Sequence, residues 1–62
     1  MMNYMIVDDS LPLEIDKEYS VGDVITLGTF NSTFLIKCEY KKEVDGKIIH
    51  FFITQSANMN AS

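Results

Sequence analysis

Between residues 23 and 55 apolar and polar residues alternate with a period of two, and β-branched and aromatic residues dominate, which predicts strands rather than helix. The stretch YKKEVDGKIIHFF, residues 40–52, fixes the register. Its Asp45-Gly46 pair suits a two-residue type I′ hairpin, because both central positions need positive φ. With these two as the loop, Val44 faces Lys47, Tyr40 meets Phe51, Cys38 meets Ile53 and Ile36 meets Gln55. On the other side Glu43 meets Ile48, Lys41 meets His50, Glu39 meets Phe52 and Lys37 meets Thr54. A three-residue loop would mix charged and apolar residues along one face, since a one-residue slip turns every side chain over. The two-residue loop sorts them better.

One turn earlier, Asn31-Ser32 reads as a short reversal, with Asn tolerating left-handed backbone. It pairs Thr29 with Phe34, Leu27 with Ile36 and Ile25 with Cys38. Both turns then put Ile25, Leu27, Phe34, Ile36, Cys38, Tyr40, Ile49, Phe51 and Ile53 on one face. Agreement between two turns read independently is the firmest signal in the chain. Upstream, NYMIV (3–7) and LPLEI (11–15) are short strand candidates, with Pro12 suited to an edge or irregular position. The expectation is an all-β domain, a small SH3-like barrel or curled antiparallel meander sheet, with strands near 3–7, 11–15, 23–30, 33–44 and 47–55.

With 62 residues the chain holds one domain at most, assigned to 1–55, with a frayed tail at 56–62. The stretch KEYSVGDVITL, residues 17–27, resembles the turn that opens the meander of an SH3-like barrel. That resemblance covers about eleven residues and implies a layout only; tryptophan, on which proline-binding SH3 domains rely, is absent. A chain this small buries only about 60% of its unfolded surface, so it needs a further source of stability. One cysteine makes no intramolecular disulfide and one histidine makes no Cys/His zinc cluster. With 47% hydrophobic residues, self-association is the remaining source.

Net charge is −4, and the acids gather early: Asp8, Asp9, Glu14, Asp16, Glu18 and Asp23 precede residue 31, against Lys17 alone. Arginine is absent, which together with the acidic balance argues against nucleic-acid binding. No apolar run approaches the ~20 residues of a membrane span and no leader-like start is visible, so the expected location is cytoplasmic. His50, opposite Lys41, lacks a nucleophile on its own side, because the alternation sends Cys38 to the other. It reads as an exposed sheet histidine, and Cys38 as a small buried hydrophobe. Asp8, Asp9, Asp16 and Asp23 match no calcium loop and read as turn residues. Glycines 22, 28 and 46 form no phosphate loop. The chain is therefore expected to be no enzyme and to hold no metal or cofactor.

The second sheet face carries Leu35, Ile48 and Phe52 among Lys37, Glu39, Lys41, Glu43, His50 and Thr54, with Val24 and Phe30 alongside. Strong coiling would hide part of this set inside a closed barrel. The preferred reading is a contact surface with a charged rim, anchored by Phe52 and including Ile48, Leu35, His50 and Phe30. The expected function is a non-enzymatic protein-binding module whose partner is another protein or a second copy. The alternative is an acidic inhibitor or mimic, of the kind phages and mobile elements carry, that occupies a basic surface.

Overall fold

In the computed structural model, which describes residues 2–29 and 31–57, the chain is all-β. Its strands are β1 (Met2–Val7), β2 (Leu13–Ile15), β3 (Val24–Thr29), β4 (Ser32–Val44) and β5 (Lys47–Ala57). They form one sheet in the order β2-β1-β5-β4-β3. The meander β3-β4-β5 is antiparallel as the alternation predicts. The sheet as a whole is mixed, because β1 lies parallel to β5, with Met5 beside His50 and Val7 beside Phe52. It curls into a half-barrel open between the edges of β2 and β3. No helix among the described residues is long and apolar enough to cross a membrane.

Asp45-Gly46 closes the β4–β5 hairpin with φ of 52° and 76°, both positive as the type I′ turn requires. From there the pairing follows expectation through Val44–Lys47, Glu43–Ile48, Lys41–His50 and Tyr40–Phe51. The next residue, Glu39, has no partner, and Cys38 pairs with Phe52 rather than Ile53. Further along, Gln55 is skipped in β5, so that Ile36 meets Thr54 and Leu35 meets Ser56. Each skipped residue is a β-bulge, which bends its strand and increases the local twist. Backbone bonds from outside the strand lock the first: Cys38 N–H donates to Asp23 O (2.9 Å), and Gly22 N–H donates to Cys38 O (2.8 Å).

The Glu39 bulge decides what is inside. Cys38 and Tyr40 were expected to share a face, but the extra residue sends them to opposite sides. Cys38 now shares the concave side with His50 and Phe52, while Tyr40 and Phe51 face outward. The core is Met5, Ile36, Cys38 and Phe52, all 5% exposed or less, with His50 fully buried among them. Val7, Ile15, Tyr19, Ile25, Leu27 and Phe34 pack around it.

The earlier hairpin also differs in register. Thr29 pairs with Ser32, Leu27 with Phe34 and Ile25 with Ile36, a two-residue shift from the pairing that a 31–32 turn sets. A two-residue shift keeps every side chain on its face, so the apolar pattern alone could not distinguish the two. Pro12 lies before the short edge strand β2, which begins at Leu13. Strand β5 runs through Ser56 and Ala57, which pair with Leu35 and Phe34. The rest of the expected tail, 58–62, lies outside the described residues.

Candidate functional site

The convex face of the sheet follows from the registers on both sides of β5, since paired residues share a face and alternate along each strand. One row crosses the sheet as Ile6–Phe51–Tyr40, and the next as Tyr4–Ile49–Lys42. Toward the hairpin lies Met2–Lys47–Val44; in the other direction lies Ile53–Lys37–Val24. Leu35, beside Thr26, extends the face at its far end. Tyr40 and Phe51 stack across the strands, with ring centroids 4.5 Å apart and planes 9° from parallel. Tyr40 is 54% exposed and Ile53 40%, whereas Phe51 and Ile49 are half-buried by their neighbours. An apolar stripe along β1 and β5 is thus flanked on β4 by Lys37 and Lys42. On the opposite flank stands Glu14, paired with Tyr4.

Of the five residues expected to form the contact surface, the structure moves two inside. Phe52 (1% exposed) and His50 (0%) belong to the core and are not surface anchors, because the Glu39 bulge and the curl turn their face inward. Ile48 is half-buried on the concave side beside Glu43 and Asn3. Leu35, 42% exposed, lies on the convex face. Phe30 lies outside the described residues. Tyr4, Ile6, Ile49, Phe51, Ile53 and Tyr40 form the apolar surface instead. The sequence did carry a signal for this: Ile48-Ile49 and Phe51-Phe52-Ile53 are apolar at successive positions, so both faces of β5 had to be greasy.

His50 is clamped by the backbone. Tyr19 N–H donates to Nε2 (2.9 Å), so the proton sits on Nδ1, which donates to the Tyr4 carbonyl (2.9 Å). The neutral ring therefore has both nitrogens engaged. Tyr19 meets His50 and Phe52 edge-on at 5.8 and 5.6 Å, and Lys17 Nζ lies 4.8 Å from the Tyr19 ring centroid. Cys38 shares this interior with His50, contrary to the expectation that the sheet separates them. Burial pushes its thiol above the ordinary range, away from the thiolate a nucleophile needs. Both groups are thus held within the interior.

The early acids hold turns and loops in place. Asp8, at φ 53°, ends β1, and its carboxylate accepts the Thr54 N–H (3.1 Å) and hydroxyl (2.7 Å). Asp23 accepts the Ser20 N–H (3.0 Å). Glu18 pairs with Lys41 Nζ at 2.8 Å, and that hydrogen bond holds its carboxyl below the usual carboxylate range. Among the described residues no group of three or more His, Cys, Asp or Glu side chains is placed to hold a metal ion. A cleft of about 530 Å³ opens on the concave side between the β1–β2 segment and the β3–β4 pair, lined by Met5, Val7, Leu11, Leu13, Leu27 and Phe34 with Asp8 and Thr54.

No protein-family model, curated protein or solved structure matches the chain, so its functional reading rests on the two sheet faces just described.

Proposed function

We propose that the chain is a protein-binding module whose contact surface is the convex face of the sheet. One observation carries the reading: among the described residues nine large apolar side chains are exposed and only four apolar residues are buried. Scattered singly, exposed apolar residues need no explanation. Here Tyr40, Ile53, Leu35 and Val24 lie on one face, beside the half-buried Ile49 and Phe51. A contiguous patch of this kind with charged flanks is what association surfaces present. The stacked Tyr40–Phe51 pair at its centre has the rigid aromatic character of an interface anchor.

The acidic-mimic alternative has less surface to work with. Lys41 neutralises Glu18, and the Asp8 and Asp23 carboxylates, still charged, are held in fixed directions by Thr54 and Ser20. The test is capture from a lysate of the native host on the immobilised chain, with the chain itself counted among the captured proteins. Substituting Ile53→Lys or Tyr40→Lys on the convex face should release the retained proteins, and Leu13→Lys beside the cleft should not. An identical captured set for all three would overturn the reading.

A further inference from the structure

We infer that the convex face pairs with a second copy of itself about a two-fold axis parallel to β5, with the lysine flank of each copy over the Tyr4–Glu14 flank of the other. The inference rests on the convex face being a contact surface, and it commits that surface to one partner and one geometry.

The rows across the sheet carry the argument. Tyr4–Ile49–Lys42 continues through the β1–β2 pairing to Glu14, so the full row reads Glu14–Tyr4–Ile49–Lys42. Charge therefore changes sign across the width of the face. Lys42 and Lys37 stand on β4, while Glu14 stands on β2. Between them runs the uncharged stripe Ile49, Phe51, Ile53.

Two closed face-to-face arrangements bring stripe onto stripe. A two-fold axis lying across the strands leaves the β4 flank of one copy over the β4 flank of the other, so lysine meets lysine. An axis along β5 exchanges the flanks. Lys42 of one copy then lies over Tyr4 of the other with Glu14 beyond, which offers an ion pair and a cation–π contact together. Tyr40 lies over Ile6, and Phe51 over Phe51. Like charges directly opposed cost free energy and opposed signs recover it, so the charges select the axis along β5. Lys47 alone meets its own copy, next to the hairpin tip, where both side chains are exposed and screened by solvent. Sheets packed face to face lie about 10 Å apart with strands within about 30° of parallel. The operator closes on itself, so association stops at a dimer.

The experiment is sedimentation equilibrium on the purified chain at low and moderate salt. The wild type should have twice the 7.1 kDa chain mass. Lys42→Glu and Glu14→Lys each alter two symmetry-related contacts and should raise the dissociation constant about tenfold or more. Both positions are exposed, so the fold is not at stake. The double exchange Lys42→Glu/Glu14→Lys reverses both signs and should bring the constant back to within about threefold of wild type. A monomeric wild type, single variants that bind like wild type, or a double exchange no tighter than the singles would each overturn the inference. In the first case, capture of other proteins that still depends on Ile53 and Tyr40 leaves the protein-binding reading standing without it.

Discussion

His50 and Cys38 are the two side chains whose chemistry depends most on where the chain puts them. His50 joins β5 to β1 through the Tyr4 carbonyl and to the 16–23 loop through the Tyr19 amide. Replacing it with leucine fills similar space but leaves that half-buried N–H without an acceptor. His50→Leu should therefore cost about 1–3 kcal/mol, read as a lower urea midpoint; an unchanged midpoint would show that the clamp contributes nothing. Cys38 gives a prediction in pH. Its folded pKa lies above its unfolded one because burial disfavours the thiolate. The stability this contributes is complete below the unfolded value of about 8.5 and is lost as pH rises from there through the folded value. Urea midpoints measured across that range should fall less steeply for Cys38→Ala than for wild type. Parallel slopes would contradict the assignment.

At the scale of elements, turns and bulges rather than strand propensities shape this sheet. Gly46 and Gly28 separate two demands on the backbone. Gly46 (φ 76°) has nothing within 4 Å of a would-be Cβ, so Gly46→Ala pays only the left-handed penalty of about 1–2 kcal/mol. At Gly28 (φ 136°) a Cβ would run into the Ser32 carbonyl oxygen across the tight β3–β4 reversal. Gly28→Ala should cost more than Gly46→Ala, by at least the 1–3 kcal/mol of a strained backbone position, in a thermal or urea melt of the two. Equal losses would mean that the Gly28–Ser32 approach gives way without cost. The Asp45-Gly46 hairpin was legible because its residue types specify both turn type and register. The bulges at Glu39 and Gln55 were not, because nothing in those residue types marks them. The lock on Glu39 comes from Gly22 and Asp23, far away in sequence. The parallel pairing of β1 with β5 was hidden for the same reason, as it joins the two ends of the described chain without a local turn signal.

For the whole molecule, one unpaired residue in β4 exchanges a surface for a core. The composition had already required something beyond a small interior, and the apolar run Phe51-Phe52-Ile53 had required that β5 be greasy on both sides. Which side faces solvent depended on the bulge, so the Phe52 anchor inferred from alternation became core and its neighbour Phe51 became surface. Adjacent substitutions test that assignment most directly, through urea unfolding of Phe51→Lys and Phe52→Lys side by side. A lysine at 52 buries an unpaired charge and should abolish the cooperative transition, whereas a lysine at 51 should leave a folded chain that no longer associates. A Phe52→Lys variant that unfolds like wild type, beside a Phe51→Lys variant that does not fold, would contradict the account.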